Sequence, residues 1–149
     1  MKLSPGSIDA ISIQARKEYP AECCGIVTGQ GANQRVHECV NRQDELHARD
    51  PEQHPRTSRE AYDMDRGEME RIFADAASHN EQVLAFYHSH IDCDAYFSDM
   101  DKAVQTVFGE PEFPDAVHVV VSVREGTIHE IKGYSWDSVR QDFVQVDVR

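Results

Sequence analysis

Five apolar residues in succession, Val83-Leu84-Ala85-Phe86-Tyr87, run directly into His88-Ser89-His90. A short unbroken apolar run reads as a buried strand. Such a strand needs cover on both faces, so the rest of the chain has to supply neighbours and helices. Ala116 to Val123 is a second run of this kind. Arg124-Glu125-Gly126-Thr127 has the composition of a hairpin turn and predicts a strand over 128–136. Cys23 to Thr28, ending at Gly29 and Gly31, reads as a further buried strand and turn, with Val36 to Val40 as its partner. The tail from Asp142 to Arg149 carries Phe143, Val144, Val146 and Val148 and reads as a last strand.

Three segments have helical patterning. Ser7 is expected to cap a helix running to about Tyr19, with Ile8, Ile11 and Ala15 on one face and Pro20 as its stop. Gly67 to His79 carries an apolar stripe of Met69, Ile72, Phe73 and Ala76. Ser98 to Phe108 opens with cap chemistry and continues through Ala103, Val104 and Val107. The tract from Asn41 to Asp65 is polar and broken by Pro51 and Pro55, so it reads mostly as loop or as disorder, with Ala61 to Met64 a short strand. Interleaved strands and helices place the chain in the α+β or α/β layered class, and 149 residues fit one domain.

Charge and cysteine usage narrow the partners. Lys and Arg total 15 against 27 Asp and Glu, so the formal charge is 15 − 27 = −12. An acidic surface repels phosphate backbones, which argues against nucleic acid. No stretch approaches the roughly 20 apolar residues of a membrane span, and the first residues lack the apolar core of a secretory signal. Cys23, Cys24, Cys39 and Cys93 form neither a Cys-x-x-Cys pair nor a plausible disulfide framework. Reduced thiols and a cytoplasmic location follow as the simplest expectation.

The chemistry concentrates around the first apolar run. Residues two apart on a strand point to the same side, so His88 and His90 present both imidazoles to one point. Asp101 lies about one turn inside the next expected helix, where its carboxylate can reach that point. Two His and one Asp with an open fourth position is the ligand complement of a catalytic zinc site. Ser98 shares a helix face with Asp101 and reads either as an N-cap or as a hydroxyl aimed at the open position. Glu22, at the mouth of the first buried strand, is a candidate general base. Cys24 lacks a nearby His and reads as a buried structural thiol. Asp92, Asp94 and Tyr96 stand in the loop between the ligands as candidate substrate contacts. His37, His47, His54, His79, His118 and His129 show no ligand spacing.

Glu22, then His88-x-His90, Ser98 and Asp101 at the spacing His-x-His-x7-Ser-x2-Asp, resembles the JAMM motif of the MPN+ metalloproteases. Pro20-x-Glu22-x-Cys24-Gly25 with Gly29 beyond is similar to the small prokaryotic members. The resemblance covers roughly residues 7–136. Ile91 and Phe97 depart from it, standing where family members commonly have Pro. The resemblance implies a curved mixed β-sheet flanked by helices in a cytidine-deaminase-like arrangement. It implies zinc on His88, His90 and Asp101, Glu22 as the base and Ser98 as the oxyanion donor. The activity it implies is hydrolysis of a peptide or isopeptide bond after the C-terminal Gly of a ubiquitin-like sulfur-carrier protein. An unrelated peptide of cell-wall or phage-tail type, and a non-catalytic binding scaffold, are the alternatives. Exposed strand edges leave a homodimer open.

Overall fold

The computed structural model describes residues 1–149. A six-stranded mixed sheet in the order β2-β1-β3-β6-β7-β8 is its frame. The strands are β1 (Cys24–Gln30), β2 (Asn33–Cys39), β3 (Gln82–Ile91), β6 (Val117–Arg124), β7 (Thr127–Asp137) and β8 (Asp142–Val146). β3 and β6 run parallel to one another, and every other neighbouring pair is antiparallel. The two unbroken apolar runs are therefore the two central strands, where both faces need cover. β2 and β8 are the sheet edges.

Helix α1 (Pro5–Glu18) covers one face. Its cap is Ser4, three residues ahead of the expected Ser7: the Ser4 hydroxyl accepts from the Ser7 amide at 3.1 Å, and Pro5 follows in the first turn, where a missing N–H costs nothing. Ile8, Ile11 and Ala15 face inward as expected and join Val27, Ala85, Tyr87, Val119 and Val121 in the larger core. A buried polar peg locks this layer. The Tyr87 hydroxyl donates to Gln14 Oε1, and Gln14 Nε2 donates to the Cys24 carbonyl at 3.1 Å. Gly25 makes room for the peg, since a Cβ there would stand 2.1 Å from the Tyr87 hydroxyl oxygen and 2.5 Å from the His37 carbonyl. Gly25→Ala is expected to cost about 1–3 kcal/mol, read as a lower midpoint in urea unfolding.

Helix α3 (Arg66–Ser78) covers part of the other face, with Met69, Ile72 and Phe73 against Phe86 and Ile26. Further along that face, Phe97, Val120 and Phe143 form a third cluster with Tyr134 and Trp136.

Two expectations need correction. The tract 41–65 is neither a simple loop nor a site of strand over 61–64. It holds helix α2 (Gln43–Arg49) and folds back along the sheet. Long-range ties do this: the Asn41 amide donates to the carbonyls of Glu22 and Ala61, and Arg42 pairs with Asp63 at 2.8 Å. The helix expected over 98–108 stops at Val104. α4 (Asp99–Val104) gives way to a two-stranded hairpin of β4 (Thr106–Val107) and β5 (Glu110–Pro111). Phe108 and Gly109 both take positive φ in its turn, which no helix accommodates. No helix is long and apolar enough to cross a membrane.

Candidate metal centre and active site

His88 and His90 occupy alternate positions of β3 and share the face that also carries Phe86, as period two requires. α4 begins just beyond the loop that follows β3. Ser98 is its N-cap and Asp101 its third residue, and the two form a reciprocal capping box. Ser98 Oγ accepts from the Asp101 amide at 3.0 Å, and Asp101 Oδ2 accepts from the Ser98 amide at 2.9 Å. The box turns the Asp101 side chain back toward the helix start and onto the two imidazoles. His88 Nε2 lies 3.2 Å from Asp101 Oδ1 and His90 Nε2 lies 3.3 Å from Asp101 Oδ2. The two Nε2 atoms are 3.2 Å apart. All three side chains are buried, and together they could hold a metal ion.

The surroundings set the protonation state that ligation needs. Burial would raise the Asp101 carboxyl, but His88 and the hydrogen bonds from both imidazoles and the Ser98 amide outweigh it and hold Asp101 well below the usual carboxylate range. Burial pushes His88 down, against the pull of Asp101, and keeps it neutral. His90 donates from Nδ1 to the Asp94 carbonyl at 2.9 Å, which holds the ring with Nε2 toward the centre. Tyr62 stacks on the His88 ring at 4.5 Å between centroids, and Tyr96 meets the His90 ring edge-on at 4.9 Å.

Strand pairing brings Glu22 to this place. Cys24 pairs with His88, and the antiparallel register carried two residues further sets Glu22 opposite His90. The Glu22 amide donates to the Ser58 carbonyl at 2.7 Å, which anchors the carboxylate's backbone against the folded-back tract. The residue is only 5% exposed. Burial first, and then the Asp101 charge, push the Glu22 carboxyl up to about 9, with Arg56 opposing. Glu22, His90, Ser98 and Asp101 line one cavity of about 440 Å³, together with Arg56, Arg59, Tyr62, Cys93 and Tyr96.

Other candidates fall away from this cavity. Asp92 accepts from the Tyr19 hydroxyl and the Glu125 amide, and the Asp94 carboxylate pairs with Arg124, so both pin the inter-ligand loop. Cys24 is fully buried, and burial raises its thiol well above the ordinary range. His118 sits among Phe86, Phe97 and Phe143, where burial and the nearby His88 bring it down to about 4. Ile91 and Phe97 do not leave the loop undirected. Ile91 ends β3 in register with Val123, and Phe97 is buried against Tyr134 and Phe143.

Arg56 and Tyr62 lie in the polar tract, and nothing in their local sequence signals a site. Only the tract's return along the sheet places them at the cavity.

Residues 4–138 match the family of prokaryotic homologs of the JAB domain. The chain is similar to the CysO-cysteine peptidase of Mycobacterium tuberculosis, with 30% identity over 132 residues that make up 85% of this chain and 76% of that protein. It is also similar to tail tip assembly protein K of Escherichia phage N15, at 35% identity over 97 residues, 65% of this chain and 33% of that one. In fold it is similar to a JAB1/MPN domain protein of Archaeoglobus fulgidus, with a TM-score of 0.55 at 16% identity over 99% of this chain and 98% of the other. With the match running through nearly all of the sheet and every residue of the centre, the chain belongs to the prokaryotic JAB-domain family.

Proposed function

We propose that this chain is a zinc metallopeptidase that hydrolyses a peptide or isopeptide bond after the C-terminal Gly of a ubiquitin-like sulfur-carrier protein. One observation carries the reading: a buried carboxylate, Glu22, lines a cavity with His90 and Asp101, two of the three residues that could hold a metal. A purely structural metal would have no use for an ionisable side chain set beside it at the cost of burial.

Zinc fits these donors. Its bonds to N and O ligands, about 2.0–2.2 Å long at tetrahedral angles, call for donor atoms roughly 3.3 Å apart. The separations here are 3.2, 3.2 and 3.3 Å. The name of the mycobacterial relative supports a sulfur-carrier substrate, and the four free thiols support a cytoplasmic setting.

Zinc held by His88, His90 and Asp101 supplies Lewis acidity, which acidifies water and polarises a carbonyl. Glu22 takes the proton that the attacking water gives up and holds it until the amine leaves. Glu22 then returns it to the amine nitrogen. Ser98 serves the carbonyl oxygen. Its own oxygen already accepts the Asp101 amide, and a hydroxyl that accepts one bond still has its proton to donate. Capping the helix and stabilising the oxyanion are compatible roles for it.

Ser98→Ala is expected to lower kcat by about 10²–10³-fold. Losing the cap itself costs only about 1 kcal/mol, a shift of a few degrees in Tm. Steady-state kinetics beside calorimetry separate the two. The reading as a whole is tested by incubating zinc-loaded protein with a ubiquitin-like carrier extended past its terminal Gly and weighing the products. Expected is a carrier ending at Gly. If carriers stay whole and a cell-wall or phage-tail peptide is cut, the alternative substrate holds, a reading that draws on the identity with the phage tail tip protein.

A further inference from the structure

Glu22 stands just outside the sheet. The β1–β3 ladder begins at Cys24 opposite His88, and Cys23 still exchanges hydrogen bonds with Ser89. Glu22 bonds to no strand, and the folded-back tract holds its backbone instead. Its amide donates to the Ser58 carbonyl at 2.7 Å, and its carbonyl accepts from Asn41 Nδ2 at 2.9 Å. The same nitrogen donates to the Ala61 carbonyl at 3.1 Å, and Asn41 Oδ1 accepts the amides of Gln43 at 3.0 Å and Asp63 at 3.1 Å. A side-chain amide has two donor hydrogens and two acceptor lone pairs, and Asn41 commits all four to backbone. Turned over, the amide would set N–H against N–H and oxygen against oxygen, so one orientation fits.

These four bonds reach the centre from two sides. Ala61 and Asp63 flank Tyr62, whose ring stacks on His88 at 4.5 Å between centroids. The Tyr62 hydroxyl accepts from Gln105 Nε2 at 3.3 Å, and Gln105 is the C-cap of α4, the helix that carries Asp101. One amide therefore links the backbone of Glu22 to the ring packed on His88. Arg42, the next residue, ties the same tract through Asp63 and Asp65, and its side chain does not reach Glu22. Proton transfer needs heavy atoms about 2.6–3.2 Å apart, and a shift of about 1 Å caused by a remote change can cost about 10²-fold in rate. A residue with no ladder partner drifts that far unless another group fixes it.

We infer that Asn41 is a positioning residue for the reaction: its side-chain amide fixes the Glu22 backbone against the segment that packs on His88, and so sets where the Glu22 carboxylate stands. The inference rests on the reading of Glu22 as the proton carrier and adds the group that places it. Asn41 acts through Glu22 and touches neither substrate nor metal.

The test uses Asn41→Asp, which keeps acceptors for the Gln43 and Asp63 amides and has no N–H for Glu22 or Ala61. Asn41→Ala, which brings no charge, is expected to give the same pattern. Arg42→Ala, which cuts a tie of the same tract, is the control. With zinc-loaded protein and a ubiquitin-like carrier extended past its terminal Gly, both Asn41 variants should lose about 10–100-fold in kcat, with KM and zinc content nearly unchanged. Arg42→Ala should keep kcat within about twofold, since Glu22 keeps its bonds. In a Glu22→Gln background, Asn41→Asp should lower kcat no further, because its effect passes through the missing carboxylate. An undiminished kcat in the Asn41 variants, or a loss that repeats in full on Glu22→Gln, overturns the inference and leaves the peptidase reading intact. Hydrogen exchange in metal-free protein decides the opposite case. The Glu22 amide should exchange roughly 10-fold faster or more in both Asn41 variants and near the native rate in Arg42→Ala, while amides of β1 and β3 stay protected. If that pattern appears while the native protein leaves the carrier whole, Asn41 fixes Glu22 and the peptidase reading fails. If Glu22 protection does not move, the inference is wrong whatever the turnover.

Discussion

Glu22→Gln is expected to lower kcat by about 10²–10⁴-fold while the protein keeps its zinc. Gln has nearly the shape of Glu, so the cavity keeps its form, and Glu22 is not among the three donors that meet at the centre. What disappears is a group that can take and return a proton. Steady-state kinetics and metal analysis on the same preparation check both halves, and a variant that turns over at the native rate removes Glu22 from the mechanism. The substitution carries a second signature in metal-free protein. Burial and the Asp101 charge raise the folded-state Glu22 carboxyl from 4.5 to about 9. A raised carboxyl favours the folded state below about pH 4.5, and that advantage is lost as pH climbs through 9. At pH 7.5 the native chain is keeping a carboxyl where an ionised group is unwelcome, and Gln relieves it. Metal-free Glu22→Gln should therefore melt higher than the metal-free native chain at pH 7.5, by an amount of order a few kcal/mol, and the two should converge near pH 4. Asp101 has the opposite sign. Its carboxyl is held low in the folded state, so its contribution is present above the usual carboxylate range and fades as the solution is acidified.

Asp101→Asn is expected to reduce bound zinc from about one per chain to near zero and to abolish turnover. Asn is the informative replacement. It keeps an oxygen for the Ser98 amide, so the start of α4 survives. The loss then reports on charge at the donor set, where two imidazoles remain without the carboxylate they both meet. Thermal unfolding adds a quantitative check. In the native protein, zinc at a hundredfold excess over Kd should stabilise by about 2.7 kcal/mol, and in Asp101→Asn the added zinc should move Tm little. Near-stoichiometric zinc in Asp101→Asn and also in His88→Ala would place the metal somewhere else.

The parts of this site that could be read from the sequence are those with a short-range rule behind them. His88 and His90 converge because a strand repeats every two residues, and Asp101 reaches them because it stands one turn into a capped helix. Glu22 is different. Its place opposite His90 depends on the pairing of β1 with β3, strands more than fifty residues apart, and in the sequence only its position at the mouth of a buried strand and the downstream motif point to it. Arg56 and Tyr62 depend on still more remote ties, since Asn41, Arg42 and Ser58 draw the polar tract back onto the sheet. That tract has no apolar stripe to announce α2, and its charged side chains satisfy one another only once it is folded back. The end of α4 departs from the sequence pattern for a local reason. Val104 and Val107 continue a helical spacing, but both are exposed, and Gly109 and Pro111 close a hairpin there.

The two walls of the cavity differ in how they can move. The imidazoles stand on β3, a strand with neighbours on both sides and packed cores on both faces, so their backbone opens only when the sheet itself comes apart. The facing wall, with Arg56, Arg59 and Tyr62, is borne on a stretch without ladder pairing, held by scattered side-chain ties. Segments of that kind rearrange in nanoseconds to microseconds. The half that carries the imidazoles keeps its shape, and the facing half is free to adjust. A bound molecule could leave past a wall that gives way while the half carrying His88 and His90 stays in place.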